Sequence, residues 1–423
     1  MLRLTCRFLL LFLLHRALFV VGTAVAVEDG KLYDRLILPE QGERFQHVEF
    51  SCWIPDAATP LQGVLIHQHG CTNASPESHP PVTLDFHWRA LARKHQLAIL
   101  SPQYQVAGSC DEWNDPESGS ERALFSALVQ IGKESGHPEL VELPWLLWGH
   151  SGGSSWSSQM ILRHPGRVIA ASFRGGCSKQ FGVPEFRARF GPAARELPLL
   201  FVWGKRESVP ESKHFVSWEP MNTMYRELRG LGGKVTRVID PLSEHGCDNS
   251  RLIVIPFFDA VLTAGEKGGT LSGVLRDMTS LGVRELNERN LHDPALTWLP
   301  NSEVGEWWQE FSETGTLKPT GENLVAPVLS VDREGNGSAR LSWTVNPRLG
   351  GGLRSFRLYR DGKLWKELGV KTGSPVATSR DAPPEGLREH ELVDGEGVEG
   401  TYTLSFLDAA GNESPKSESV KLR

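Results

Sequence analysis

The sequence has no long run of like charge. Its 45 Lys and Arg residues stand against 51 Asp and Glu, and the formal net charge of −6 is spread along the chain. That excludes the basic stripe of a nucleic-acid-binding protein and the polybasic segment that holds a protein to anionic lipid. Long uninterrupted apolar runs are also missing. The nearest is the amino-terminal MLRLTCRFLLLFLLHRALFVVGTAVA, which His15 and Arg16 interrupt. A membrane-anchoring helix needs about 20 predominantly apolar residues in succession, and this run is too short. Arg3 and Arg7, then leucines, then Ala24-Val25-Ala26 give the order of a secretory signal peptide. The expectation is a secreted or periplasmic protein whose mature chain starts near Val27.

Cysteine is scarce. There are six, and Cys6 would leave with the signal, so Cys52, Cys71, Cys110, Cys177 and Cys247 remain. An exported chain meets an oxidising compartment, and an odd count leaves at least one thiol unbonded. Cys52, inside the alternating VEFSCWIP, reads as a small buried hydrophobe. A complete metal-ligand set is also lacking. His67 and His69 form H-x-H on a predicted strand, but no third ligand stands beside them in the sequence, so no metal and no cofactor is expected.

What is present is alternation. From about residue 47, short apolar runs alternate with segments of helical spacing: GVLIHQHG (63–70), LDFHWRALARKHQ (84–96), LAILSPQY (97–104), SERALFSALVQIGKES (120–135, with Ser120 as N-cap), LPWLLWG (143–149), SSWSSQMILRHP, RVIAASFRG, LPLLFVWG (197–204), EPMNTMYRELRGLG, KVTRVID (234–240) and RLIVIPFFDAVLTAG. This predicts an α/β fold with a mostly parallel sheet covered by helices on both faces. Ligands of such sheets bind beyond the carboxyl ends of the strands. Trp145, Trp148, Trp156, Trp203 and Trp218 fall on or near these strands, and core packing is the default for each.

After Gly265 the pattern changes. GEKGGTLSG reads as flexible, and residues 296–315 as one helix behind Pro300, capped by Asn301 or Ser302 and pinned by Trp307 and Trp308. TLKPTGENLVAP reads as a linker. From Ala326, short strands recur between Gly, Asn and Asp turns, a β-sandwich pattern, and Asp-Gly in YRDGKLW marks a hairpin with a primed turn. The chain thus divides into 1–26 (signal), 27–265 (α/β domain), 266–325 (helical extension and linker) and 326–423 (sandwich).

One stretch carries chemistry. In LPWLLWGHSGGSSWSS an apolar strand meets Gly149-His150-Ser151-Gly152-Gly153, a G-x-S-x-G in strand-to-helix context. Glycines flank the serine because the turn is too tight for side chains. The following helix aims its N-terminal dipole at the same spot, and the Gly152 N–H can face a developing oxyanion. A serine hydroxyl needs a base. VIDPLSEHGCD places His245 after the last strand, and Glu207 follows LLFVWG, with Asp240 as the rival acid. The order nucleophile, acid, base is Ser151, Glu207, His245. A second oxyanion donor is expected at Gly70 or Cys71, after the GVLIHQHG strand. His69 lies near enough to line the site, and His150 fills the variable position of the elbow as a packing residue.

Over residues 45–264 the chain resembles the α/β-hydrolase superfamily, on elbow, acid, base and oxyanion loop in that order. The resemblance implies ester hydrolysis through an acyl-enzyme. The last segment resembles a fibronectin type III domain, with Trp343 in LSWTV as its buried tryptophan and Tyr402 in GTYTLSF as its corner tyrosine. In the hydrolase fold the strands before Cys71 and Cys110 are neighbours, which leads to an expected Cys71–Cys110 disulfide. A second bond, Cys177–Cys247, would restrain the loop carrying His245. The stretch KQFGVPEFRARFGPAARE, where a lid domain is often inserted, is short and points to an open site for small, bulky or polymer-attached esters. The sandwich would contact a polysaccharide or a surface, or act as a spacer. Two other readings stand beside this one: a peptidase or amidase with the same triad, and a non-catalytic binding protein on a hydrolase scaffold.

Overall fold

The computed structural model describes residues 30–56, 60–71, 81–247, 249–266, 268, 271–317, 326–344, 353–369, 391–408 and 412–422. The expected signal segment and residues 318–325 of the expected linker lie outside the described residues.

Eight strands form the main sheet: β1 (Gly30–Ile37), β2 (His47–Pro55), β3 (Gly63–Gln68), β4 (Leu97–Gln105), β5 (Trp145–His150), β6 (Val168–Arg174), β7 (Leu199–Gly204) and β8 (Val235–Asp240). Their order is β1-β2-β4-β3-β5-β6-β7-β8. β1 and β2 are antiparallel additions at one edge, and from β4 onward every pairing is parallel. Central strands buried on both faces need continuous apolar sequence, which is why GVLI, WLLW and LLFVW carry no polar alternation. Successive residues serve opposite cores. Trp145 and Leu147 pack on one face, Leu146 and Trp148 on the other.

The first face is covered by α2 (Ser120–Ser135), α3 (Gly152–Arg163), α4 (Pro184–Ala194) and α5 (Phe215–Gly230), and the second by α1 (Phe86–Lys94) and α6 (Arg251–Glu266). Asp85 caps α1 by accepting from the backbone of His87 (2.9 Å) and Trp88 (3.1 Å), and its other oxygen takes Arg251 of α6 at 2.6 Å. α2 starts one residue earlier than expected. Gly119 is its N-cap at φ +107°, and a Cβ there would strike Glu43, so Ser120 is helical and buried. Its hydroxyl accepts the Trp156 indole N–H at 3.0 Å. The fold is that of an α/β-hydrolase, and Trp145, Trp148, Trp156 and Trp203 are core residues. No helix among the described residues is long and apolar enough to cross a membrane.

The extension is more structured than its sequence implied. β9 (Val274–Asp277), β10 (Val283–Arg284), α7 (Glu288–Leu291) and β11 (Leu296–Leu299) precede α8 (Ser302–Thr314), and the strands form a small antiparallel sheet. The expected helix over 296–315 is therefore a strand followed by a helix. Asn301 caps α8 by accepting from Val304 N at 2.9 Å. Three bonds tie the unit to β8: Arg237 N to Thr297 Oγ1 at 2.9 Å, Trp308 Nε1 to Arg237 O at 2.6 Å, and Thr236 Oγ1 to Trp298 O.

The C-terminal strands β12 (Val328–Arg333), β13 (Ala339–Thr344), β14 (Leu353–Arg360), β15 (Lys363–Gly369), β16 (Glu391–Asp394), β17 (Gly400–Asp408) and β18 (Val420–Leu422) form two antiparallel sheets of a sandwich. Trp343 and Tyr402 are in its core, and the Tyr402 hydroxyl donates to Val398 O at 2.6 Å. Asp361 and Gly362 both have positive φ (50° and 77°) between paired Arg360 and Lys363. That is the primed two-residue turn expected of Asp-Gly.

Candidate active site

The elbow is built by exclusion of side chains. Ser151, between β5 and α3, has φ 51° and ψ −115°, which a non-glycine residue adopts only under strain. The neighbours make room for it. A Cβ on Gly153 would lie 2.0 Å from Gln68 O, and one on Gly176 would lie 2.7 Å from Ser151 O. The helix and the β3 and β6 loops close on the turn at backbone distance and leave the serine hydroxyl projecting.

Ser151 Oγ lies 2.8 Å from His245 Nε2, and His245 Nδ1 lies 2.6 Å from Glu207 Oε1. With Nδ1–H donating to the carboxylate, Nε2 is left to accept from the serine. Asp240 turns away, its Oδ1 accepting from Leu242 N at 2.9 Å. Glu207 is buried, which favours the neutral acid. The His245 hydrogen bond, the Arg174 charge and the Gly204 N–H (2.7 Å to Oε2) outweigh that, and the carboxyl is held below its ordinary range. Gly152 opens α3. Gly70 lies against Ser151, where an added Cβ would come within 2.9 Å of the serine Cβ. The backbone of Gly70 and Cys71 thus borders Ser151, and residues 72–80 lie outside the described residues.

Three residues of this site escaped the sequence reading in whole or part. Arg174, the last residue of β6, is fully buried. Its guanidinium donates to Glu207 Oε2 (3.1 Å), Ser243 Oγ (3.0 Å), Glu244 O (2.8 Å) and Gly246 O. One side chain therefore holds both Glu207 and the loop presenting His245. A charge closing an apolar strand that is buried on both faces was the available signal, because such a charge needs partners. His150, expected as packing, donates its Nε2–H to the carbonyl of His245 at 2.7 Å. His214 stacks on the His245 ring, with centroids 3.6 Å apart and planes 2° from parallel. Burial first, and the neighbouring His245 next, push the His214 pKa down, which favours an uncharged plate against the base.

Arg174→Met should lower kcat on a small ester roughly 100-fold, since the base loop loses its clamp, and should cost about 3–5 kcal/mol of stability by leaving Glu207 buried without its cation. Steady-state kinetics and a urea titration of the same preparation measure both effects. Wild-type values for both would contradict the clamp.

No family model matches the chain, and no curated protein does. Among solved structures, the chain is similar to an S-formylglutathione hydrolase from Agrobacterium tumefaciens, at 16% identity over 59% of this chain and 97% of that one, with a TM-score of 0.38. It is similar also to poly(aspartic acid) hydrolase-1 from Sphingomonas sp. KT-1, at 14% over 56% and 97%, TM-score 0.35. A third is a thermostable esterase from Pseudomonas putida ECU1011, at 13% over 53% and 77%, TM-score 0.34.

The cysteines depart from expectation. Cys177 and Cys247 are both thiols, not a disulfide. Cys177 packs against the core on the α2–α5 face, whereas Cys247 is buried in the core on the opposite face, so the sheet separates them. Cys52 is a buried thiol, as its alternating strand implied. Cys71 is disulfide-bonded, and the side chain of Cys110 lies outside the described residues.

His67 is buried, stacks on Trp148 at 3.8 Å and meets the His69 ring edge-on at 4.9 Å. His69 gathers with His150 and Cys247, and one donor atom from each lies within 4.8 Å of the others. These three are the described residues whose donor types and spacing could hold a soft divalent ion.

Proposed function

We propose that the chain is a serine hydrolase that cleaves carboxylic esters through an acyl-enzyme, exported by residues 1–26. The observation that carries this reading is the continuous Ser151–His245–Glu207 chain of hydrogen bonds at 2.8 and 2.6 Å on a strained elbow. Ser151 Oγ attacks the ester carbonyl carbon and gives its proton to His245 Nε2. Glu207 holds the resulting imidazolium. The tetrahedral oxyanion faces the N–H of Gly152 and the backbone of the Gly70–Cys71 loop, in the field of the α3 N-terminus. Collapse expels the alcohol, which takes the proton from Nε2. Water, activated by the same imidazole, then releases the acid.

The site is open to large substrates. Only a single turn and α4 lie between β6 and β7, so this segment supplies no large cap over Ser151. Such a site suits bulky or polymer-attached esters, with the sandwich as contact to a polysaccharide or surface. Turnover of aryl, acetyl-sugar and feruloyl esters by the mature protein, with the matching anilides alongside, tests the class. Ester turnover that vanishes in Ser151→Ala supports it. Faster anilide than ester turnover would make it an amidase, and no turnover or serine labelling would make it a binding protein.

The sandwich has its own core, built around Trp343, Phe356 and Tyr402, so chemistry should not need it. A chain ending at Leu324 should keep kcat on a small soluble ester within a few-fold. A folded truncation without activity would contradict this.

Cys71–Cys110 is the proposed bond, tethering the oxyanion loop to the segment after β4. Peptide mapping of the exported protein without reduction should find it, with the N-terminus near Val27. Cys71 paired to any other cysteine would overturn it.

A further inference from the structure

A cavity of about 560 Å³ lies between the end of β7, β8 and the extension, and it is separate from the Ser151 site. Its walls are apolar and aromatic, chiefly Trp218, Trp308, Ile239 and Met278. Two cations, Arg237 and Lys205, reach it, and no Asp or Glu lines it. A half-buried guanidinium normally finds a carboxylate. Arg237 has none: Nε is buried without a hydrogen-bond partner, and no carboxylate is among the charges acting on it. Ser312 Oγ, on the same wall, is also buried without a partner.

The surroundings of Arg237 say how a ligand would meet it. Its guanidinium carbon lies 5.1 Å from the Trp203 ring and 5.8 Å from both Trp218 and Tyr225. Aromatic rings thus surround the guanidinium, and among the described residues no hydrogen-bond acceptor meets its buried Nε. A planar carboxylate approaching in the guanidinium plane can take two parallel N–H donors. The rings of Trp218 and Trp308 with Ile239 and Met278 fit a flat apolar body, which phosphate lacks.

We propose that this cavity is a binding site for an aromatic monocarboxylate, with the carboxylate on the edge of Arg237 and the ring between Trp218 and Trp308. Lys205 lies at the rim, and Ser312 supplies a hydroxyl to the ligand. The extension, through Met278, Trp308 and Ser312, is then part of a site.

Isothermal titration of the mature protein with benzoate tests the proposal, with benzamide and inorganic phosphate as parallel arms. Benzoate should bind saturably at one site and raise the melting temperature. Benzamide and phosphate should each bind at least tenfold more weakly. Arg237→Gln, and Met278→Trp as a cavity-filling variant, should each weaken benzoate at least tenfold while ester turnover stays within a few-fold of wild type. If Arg237→Gln fails to fold, Met278→Trp decides. No benzoate binding, equal binding of benzamide or phosphate, or undiminished binding in the folded variants would overturn the assignment.

Discussion

Ser151→Ala should lower kcat on a small aryl ester by about 10⁶-fold, and His245→Ala should lower it nearly as far, because the two act as one unit. The structure explains the size of the effect. Ser151 is held at φ 51° by glycines that admit no Cβ, with its hydroxyl 2.8 Å from His245 Nε2. Alanine tolerates that backbone no worse than serine does, so the variant should fold with an unchanged melting temperature. Removing both residues should cost little more than removing either. Burst and steady-state kinetics on the purified variants measure this, and an additive double variant would show that the two side chains do not share a proton.

Glu207→Gln should lower kcat by about 10⁴-fold, the scale expected when the orienting carboxylate becomes an amide. The glutamine side chain can present N–H to His245 Nδ1, which favours the tautomer that places the proton on Nε2, where the serine proton must go. It also leaves no charge to stabilise the imidazolium. Stability should respond with a definite sign. The Glu207 carboxyl is held below its ordinary value of 4.5 in the folded state, so its stabilisation is present above about pH 4.5 and is lost as pH falls through the folded value. Wild type should therefore be more stable than Glu207→Gln at neutral pH, and the gap should narrow on acidification below that value. Denaturant midpoints at several pH values read this directly, and a gap that widens toward acid would contradict the Glu207–Arg174 pairing.

The parts of the site written as local signals were legible before any coordinates. Gly149-His150-Ser151-Gly152-Gly153 carries its turn geometry in its composition, and His245 and Glu207 follow strand ends where this topology puts ligands. The Asp361-Gly362 hairpin was legible for a similar reason, since two positive φ values demand those residue types. What was not legible depends on which face a side chain takes. Cys177 and Cys247 follow strands separated only by β7, but they pack on opposite sides of the sheet. Arg174 was not legible, because the carbonyls it serves are near residue 245 and distant in sequence. The strands β9, β10 and β11 are two to four residues long and show no period. Leu296–Leu299 therefore merged with the helix behind it.

Labelling with a serine-reactive phosphonate tests the central claim most directly. The mature protein, treated with the reagent, digested and mapped by mass, should carry one adduct, on Ser151. His245→Ala should be labelled orders of magnitude more slowly, and Ser151→Ala not at all. An unlabelled wild-type protein, or an adduct on any residue other than Ser151, would contradict a nucleophile at this elbow.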